Sequence, residues 1–225
     1  MMIDIGAVDD RIVMGLAKLG QAVKSQAWRG ASLSGLTPTQ GQVLAHLLAR
    51  PEGMGIGAIA AALGVKQPTA SDAIAALDAK GLVRKRRPPG DRRGVTVSLT
   101  GHGRRAARAS ASWLDFLLKA VGVLDASERA VMLKVIIKMI RTLQEAGEIP
   151  VSRMCVSCVH FRARVHDDAR MPHHCAFVDA ALGDQELRLD CADHDPAPVA
   201  HARESWRFFS RGDRLPAPDE VSHGR

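Results

Sequence analysis

The sequence predicts a mainly α-helical protein with one small β-hairpin, followed by a small cysteine-rich region. Three observations support this prediction. Apolar residues recur at helical spacing through most of the first two-thirds of the chain, two short strand-like runs flank a turn after residue 81, and all four cysteines lie after residue 150. Since composition changes where the cysteines begin, we assign a first domain to residues 1–148 and a second to residues 149–225.

The first predicted helix carries one apolar stripe. Its apolar residues recur at steps of three and four, as one face of a helix requires. They are Ile5, Val8, Ile12, Leu16, Leu19 and Val23. Such a stripe has to be buried, either against its own domain or against a second subunit.

A second helix begins at Thr37-Pro38-Thr39-Gln40. Thr37 can cap the helix, Pro38 suits its first turn, and Gln40 completes a capping box. The predicted buried face consists of Val43, Leu44, Leu47 and Leu48.

Two shorter helices follow, separated by a tight turn. The first covers residues 56–63 and ends at Gly64, and the second covers residues 68–81. In the second, Ala70, Ile74 and Leu77 share the inward face. Two short helices joined by a glycine-containing turn form a helix-turn-helix pattern.

A β-hairpin with a basic tip is predicted directly after this pair. Its strand-like runs are residues 82–86 and 95–99, and the segment between them has the prolines, glycines and aspartate typical of turns. From Lys66 to Arg108 the chain has eleven Lys and Arg against three Asp, a net charge of +8, whereas the whole chain carries +7. Local positive charge favours a phosphate backbone as the partner, although charge runs are more often solvated faces.

Three segments carry a resemblance to a known family. They are LTPTQGQVLAHL, IGAIAAALGVKQPTASDAIAALDAKGLV and RPPGDRRGVTVSLTGHGR. Over roughly residues 5–147 the chain resembles the MarR family of bacterial transcriptional regulators, which have a winged helix-turn-helix fold. The resemblance implies a homodimer that binds pseudo-palindromic operators in double-stranded DNA. It also implies that Arg92 enters the minor groove and that Asp91 orients neighbouring arginines.

The predicted DNA contacts fall on the second helix of the pair and on the hairpin. The helix contributes Lys66, Gln67, Thr69 and Ser71, and the hairpin contributes Arg84, Arg86, Arg92 and Arg93. We expect Arg84 and Arg86 to contact phosphates, which position a protein on DNA without reading its sequence.

Two further helices complete the first domain. One is predicted from Gly103 to Val121, and the other opens with the capping box Asp125–Glu128 and extends to about Ala146. The resemblance implies that the first helix and these last two interlock between subunits. A monomeric core packed within one chain is the alternative.

The four cysteines of the second domain have the spacing C-x2-C-x16-C-x15-C: Cys155, Cys158, Cys175 and Cys191. In a cytosolic protein such a cluster binds metal more often than it forms disulfides. Zinc usually uses two C-x2-C pairs, whereas this chain has one pair and two isolated cysteines, which suit a cubane cluster. The runs CVSCVHF, HHCAF and LRLDCADH also resemble small iron–sulfur modules of the high-potential type. We therefore predict an iron–sulfur cluster, [4Fe–4S], with zinc as the alternative and with His173, His174 or His194 as possible substitutes for one cysteine.

Together these features predict a cytoplasmic, DNA-binding regulator, a repressor, whose operator binding depends on a redox-, oxygen- or iron-sensing cluster. The sequence has no apolar run near the roughly 20 residues needed to span a membrane, and it offers no nucleophile–base arrangement or phosphate-binding glycine loop of an enzyme. Two alternatives remain. One is the same regulator with a structural zinc site and a small aromatic effector, and the other is an electron-transfer protein that uses the four cysteines.

Overall fold

The structure, a computed structural model, describes residues 8–87 and 94–211. The chain divides into two compact units, and the division falls between Gly122 and Val123. The sequence prediction drew its boundary at residue 148 instead. The two divisions differ because the long helix after residue 125 packs its inner face on the cysteine-rich region.

The first unit consists of helices and one small sheet. Its helices are α1 (Val8–Ser34), α2 (Pro38–Leu48), α3 (Ile56–Leu63), α4 (Gln67–Ala79), α5 (Gly101–Ala111) and α6 (Asp115–Val121). Its strands are β1 (Met54–Gly55), β2 (Val83–Arg86) and β3 (Thr96–Leu99). They form an antiparallel sheet in the order β1-β3-β2, with Val83 opposite Leu99 and Arg86 opposite Thr96. This is the helix-turn-helix and hairpin that the sequence predicts.

The aliphatic core of the first unit confirms the predicted inward faces. Leu44 of α2, Ile59 of α3 and Ile74 of α4 are all completely buried. Val97 of β3 and Ala107 of α5 close the same core. Because α4 is held by its buried face, its first exposed turn has a defined direction.

Local sequence signals begin and end these helices as expected. Gln40 N donates to Thr37 Oγ1 at 3.2 Å, and Thr37 N donates to the Gln40 side chain at 3.3 Å, which completes the capping box of α2. Gly64 ends α3 with a φ of +64°, a conformation that costs a residue with a side chain more than it costs glycine. It makes the tight turn between α3 and α4.

One predicted helix is wrong in its continuity. The helix predicted from Gly103 to Val121 is interrupted by a 3-10 turn, Ser112–Leu114, between α5 and α6. Trp113 lies in this turn, and its indole packs against Gly30 of α1 and Gly41 of α2, where a Cβ would overlap the ring. The break thus belongs to a tertiary contact that helical periodicity does not reveal.

The second unit joins one long helix to short pieces of structure. Its elements are α7 (Ala126–Glu145), the 3-10 turns Cys155–Ser157 and Asp184–Glu186, the strands β4 (Phe161–Arg162), β5 (His173–Cys175) and β6 (Ala180–Leu182), and α8 (Val199–Arg211). The strands form an antiparallel sheet in the order β4-β5-β6. The predicted capping box of α7 is confirmed, since Glu128 N donates to Asp125 Oδ1 at 2.9 Å and Asp125 N to Glu128 Oε2 at 2.8 Å.

The core of the second unit is built around aromatic rings. Phe161 and Phe209 meet edge to face, with ring centroids 6.4 Å apart, and Ile137 of α7 is buried in the same cluster. Phe208 of α8 is buried in this core as well. No helix in the described part of the chain is long and apolar enough to cross a membrane.

Candidate nucleic-acid interface and metal centre

The first exposed turn of α4 carries the predicted reading residues. Lys66 stands at its N-cap, and the Lys66, Gln67 and Thr69 side chains are exposed, whereas Ser71 is half-buried. The N-terminus of a helix carries partial positive charge from its free N–H groups, which favours phosphate. This turn therefore combines a positive end with polar side chains that can reach base edges.

The hairpin presents cations from an edge strand. Arg84 and Arg86 of β2 are exposed, while Val83 points into the core. The Nε of Arg84 donates to Ser98 Oγ at 3.2 Å, which holds that guanidinium along the hairpin. Lys85 lies 3.5 Å from Asp78 of α4, so β2 and α4 are also linked by an ion pair. The predicted contacts Arg92 and Arg93 lie outside the described residues.

A short polar network fixes the end of α4 to α5. Thr100 Oγ1 donates to the Gly81 carbonyl at 2.7 Å, and Thr100 N donates to the Leu82 carbonyl at 3.1 Å. At Gly103 a Cβ would overlap the Leu82 carbonyl, so α5 approaches the chain there as closely as only glycine allows. As a result α4, the hairpin and the start of α5 form one block.

Comparison with known proteins agrees with this geometry. A family model described as the MarR family matches residues 34–94, which run from the end of α1 to the hairpin. MepR of Staphylococcus aureus in its DNA-binding conformation is 25% identical, with a TM-score of 0.54, over 59% of this chain and 98% of MepR. The MepR–DNA complex is 26% identical, with a TM-score of 0.52, over 58% of this chain and 97% of that chain.

A more distant structure shares the fold alone. CouR of Rhodococcus jostii RHA1, bound to p-coumaroyl-CoA, is 23% identical with a TM-score of 0.50, over 63% of this chain and 94% of that chain. No curated protein matches the sequence. The first unit therefore has a winged-helix fold, and over this unit the chain is similar to transcriptional regulators of the MarR family.

In the second unit, all four cysteines line one cavity. Its volume is about 310 Å³, and its walls contain Cys155, Cys158, Cys175 and Cys191. Its lining also includes the apolar residues Phe161, Phe177, Val178 and Leu182 and the polar residues His160, Glu186, Arg188 and Asp193. Residues far apart in sequence are thus brought to a common site, as the sequence interpretation requires.

Main-chain hydrogen bonds hold the cysteines at this cavity. Cys155 N donates to the Arg188 carbonyl at 3.1 Å, and Cys191 N donates to the Arg153 carbonyl at 2.9 Å. Cys158 N donates to the Cys155 carbonyl at 2.9 Å, which closes the turn of the C-x2-C pair. Cys175 ends β5 opposite Phe161 of β4. These main-chain contacts position the two isolated cysteines, Cys175 and Cys191, whose place relative to the C-x2-C pair cannot be inferred from the sequence spacing.

N–H groups of Arg188 face two of the cysteine sulfur atoms at the cavity. The Arg188 N–H donates to Cys155 Sγ at 3.2 Å, and Arg188 Nη1 lies 3.7 Å from Cys191 Sγ. Burial raises the pKa of the Cys155 thiol, and the other three cysteines raise it further as their charges approach, while the Arg188 N–H opposes the rise. The raised pKa of Cys155 favours its neutral thiol, and only a bound cation would make the thiolate favourable there.

Single-ion geometry is a separate question. Within residues 8–87 and 94–211, no three His, Cys, Asp or Glu side chains stand close enough together to hold one metal ion. The histidines that the sequence offered as substitutes have other partners. His194 Nε2 lies 3.0 Å from Ser157 Oγ, and burial lowers the pKa of His194. His174 Nε2 lies 3.2 Å from Asp179 Oδ1.

His173 has a structural role that sequence reasoning missed. Its side chain is completely buried, with Nε2 3.0 Å from Asp184 Oδ1, and its Nδ1 accepts from the Arg164 N–H at 3.2 Å. Lys134 of α7 lies 3.1 Å from the other oxygen of Asp184. The hydrogen bond from His173 and then Lys134 lower the pKa of Asp184. A histidine next to a cysteine in sequence points to a ligand, and only the fold reveals that this one faces the core.

Proposed function

We propose that this chain is a homodimeric transcriptional repressor that binds a pseudo-palindromic operator. In this proposal its operator affinity depends on a [4Fe–4S] cluster held by Cys155, Cys158, Cys175 and Cys191. The observation that carries the metal part is the convergence of all four thiols on one cavity of about 310 Å³.

DNA binding is supported by the fold and by the charge of the first unit. The likeness to MepR extends to a complex of that protein with DNA. On this chain, the exposed side chains of Lys66, Gln67 and Thr69 would enter the major groove, while Arg84 and Arg86 would contact phosphates.

Dimerisation is supported by apolar side chains that the single chain leaves exposed. On α1, Ile12 and Leu19 are about half exposed, and on α7 the same holds for Val131 and Val135. Apolar faces of this extent on long helices are typical of surfaces buried between subunits. Two chains are also needed to place two recognition helices about 34 Å apart on successive major grooves.

The cavity fits a cluster better than a single zinc ion. Tetrahedral zinc draws four sulfurs to about 2.3 Å from one centre, which leaves the sulfurs about 3.8 Å apart and no cavity between them. A cubane presents one iron at each of four corners, so it keeps its four thiolates further apart. Thiols arranged around a cavity of about 310 Å³ match the second arrangement.

When bound, the cluster supplies a centre whose oxidation or loss changes local charge. The chain's own residues do the rest. The Arg188 N–H bonds to Cys155 and so favours the thiolate there, and Phe161 and Phe177 form the apolar wall that limits water. Loss of the centre would free the loop that carries Cys191, since no regular structure holds that residue.

The decisive experiment is purification without oxygen, followed by measurement of iron, acid-labile sulfide and zinc. The proposal predicts about four irons and four sulfides per chain with a broad visible absorption band. A colourless protein with about one zinc per chain would instead establish the structural-zinc alternative.

The regulatory part needs a DNA probe. A duplex selected by the protein from a random pool serves this purpose, with binding measured before and after the cluster is removed by ferricyanide and EDTA. Serine at Cys175 should abolish both iron uptake and the change in affinity, whereas Ser157→Ala, in the same region of the chain, should preserve both. Equal affinity of loaded and stripped protein for the duplex would refute regulation by the cluster.

A further inference from the structure

Three cations on one stripe of α7 reach into the rest of the second unit. Lys134, Lys138 and Arg141 follow each other at steps of four and three, so they share a helix face. Lys134 lies 3.1 Å from Asp184, and Lys138 Nζ donates to the Ser210 carbonyl of α8 at 2.7 Å. The third, Arg141, reaches the cysteine site itself.

Arg141 is held by three partners at once. Its Nη1 donates to the Val156 carbonyl at 3.1 Å, and its Nε donates to Glu145 Oε1 at 2.9 Å. Its guanidinium lies 4.7 Å from the centre of the Trp206 ring. The side chain is only 12% exposed. A guanidinium fixed by hydrogen bond, ion pair and ring contact has one geometry, which a lysine could not reproduce.

The carbonyl that Arg141 binds belongs to the metal-site turn. Val156 lies between Cys155 and Cys158, and its side chain is buried. The same turn is closed by the bond from Cys158 N to the Cys155 carbonyl. Any change in the geometry of the C-x2-C pair therefore moves the acceptor of the Arg141 guanidinium.

The exposed apolar residues of α7 border this stripe, because Val131 and Val135 lie three or four positions from Lys134 and Lys138. Val131 is 63% exposed and Val135 is 47% exposed, whereas Leu133, Ile137 and Ile140 pack on the cysteine-rich side. One helix thus has a face that contacts the cysteine site and a face available to a second chain. A shift of α7 would be felt on both.

We propose that Arg141 is the positioning residue that transmits the state of the cysteine site to α7, and through α7 to the dimer. This inference rests on the proposed function, because it needs a metal centre that changes state and a subunit contact that responds. Lys138 provides the matched control, since it lies on the same stripe and bonds a carbonyl of the same unit but touches no cysteine-bearing turn.

The test compares Arg141→Met with Lys138→Met in the full-length protein. For wild type, affinity for the selected duplex should change fivefold or more, in the range of typical allosteric coupling, when the cluster is removed. Arg141→Met, loaded to wild-type iron content, should show a change of about twofold or less, and Lys138→Met should retain the wild-type ratio. A wild-type ratio in Arg141→Met would overturn the inference.

Hydrogen exchange gives a second readout that does not depend on DNA. With the cluster in place, Arg141→Met should already show the faster exchange of residues 137–145 that wild type shows only after stripping, and Lys138→Met should not. Unchanged exchange of this segment in stripped wild type would also overturn the inference. If Arg141→Met takes up less iron than wild type, Arg141→Lys replaces it: because lysine cannot reproduce the fixed guanidinium geometry, it should show the same reduced change in affinity, and a wild-type ratio in Arg141→Lys would overturn the inference.

Failure of the proposed function gives a different result. Wild-type protein without iron or sulfide after anaerobic purification would overturn the cluster, and the inference with it. A wild type that holds its cluster and responds to its loss, beside an Arg141→Met protein that responds equally, overturns the inference alone.

Discussion

The two units of this chain are held together in different ways. In the first, helices α2 to α5 and a small sheet enclose an aliphatic core in which Leu44, Ile59 and Ile74 are completely buried. In the second, the longest strands after α7 have three residues, and the core depends on Phe161, Phe209 and the buried His173. Strands this short bury little area and contribute few ladder bonds, so the two units should differ in what keeps them folded.

The difference indicates why a metal centre suits the second unit. Small regions that cannot build a sufficient core are commonly stabilised by disulfides or metals. All four cysteines of the described chain are unpaired thiols at one cavity, so a metal or cluster is the cross-link this region can use. The first unit needs none, because its core is complete within its own helices.

The largest expected effect follows from removing the proposed metal centre. After chelation, the amides of residues 150–198 should lose most of their protection from hydrogen exchange, because binding energy at such sites is also folding energy. The amides of α2 and α4 should stay protected. Equal protection of both units before and after chelation would contradict the proposal that only the second unit depends on a metal centre for its stability.

The next effect tests the first unit alone. Leu44→Ala should lower the free energy of unfolding by about 3–5 kcal/mol, because it leaves a cavity in a completely buried site. Urea denaturation monitored on a far-UV signal measures it. The control is the same substitution at Leu33, which is 91% exposed, and its effect should be within about 0.5 kcal/mol.

A smaller effect concerns the polar core of the second unit. Asp184→Asn should destabilise it by about 1–3 kcal/mol at pH 7, since buried His173 and Lys134 lose a charged acceptor. Asp179→Asn, which removes an acid that is 93% exposed from His174, should cost about 0.5 kcal/mol or less. Similar losses for the two variants, measured by thermal denaturation, would contradict this ranking.

The pH dependence of the Asp184 contribution has a defined sign. The pKa of Asp184 is lowered in the folded state, first by the hydrogen bond from His173. Its stabilising contribution is therefore fully present above the unfolded carboxyl pKa of about 3.9, and it is lost as pH falls through the lower folded value. The difference between wild type and Asp184→Asn should consequently shrink only in acid, and growth of that difference on acidification would contradict the assignment.

The smallest effect concerns a single phosphate contact. Arg86→Gln should weaken binding to selected and random duplexes about equally and should reduce the slope of log affinity against log salt by about 1. Arg203→Gln, an exposed arginine of α8 in the second unit, should leave the slope unchanged. A loss confined to the selected duplex would show that Arg86 reads bases instead.

Local signals predicted the first unit well. The capping box at Thr37, the α3–α4 turn at Gly64 and the inward faces of α2 and α4 are all short-range patterns, and each is confirmed. The capping box at Asp125 in the second unit is confirmed as well. The break at Ser112–Leu114 escaped prediction because it depends on the fit of Trp113 against glycines of two distant segments. Sequence periodicity contains no trace of such a contact.

For the second unit, cysteine spacing predicted a shared site, and the four cysteines line one cavity, whereas the bound metal stays a prediction. The bonds that place Cys191 beside Cys155 run through main-chain atoms of Arg153 and Arg188, which spacing does not reveal. The sequence also gives no sign that Ile137 and Ile140 of α7 pack on the cysteine-rich region, since apolar residues of one helix do not show which neighbour each will meet. The hydrogen bond between His173 and Asp184 was hidden for the same reason.

The bonds of Thr100 and the close approach at Gly103 limit how a signal can act on DNA. They join α4, the hairpin and the start of α5 into one block, so α4 cannot rotate unless the hairpin rotates with it. After this block, the first interruption of the α-helix is the 3-10 turn at Ser112–Leu114, which follows α5. In a dimer, the spacing of the two α4 helices would therefore change by rotation of this whole block, so that contacts with the groove and with the DNA backbone would be gained or lost together.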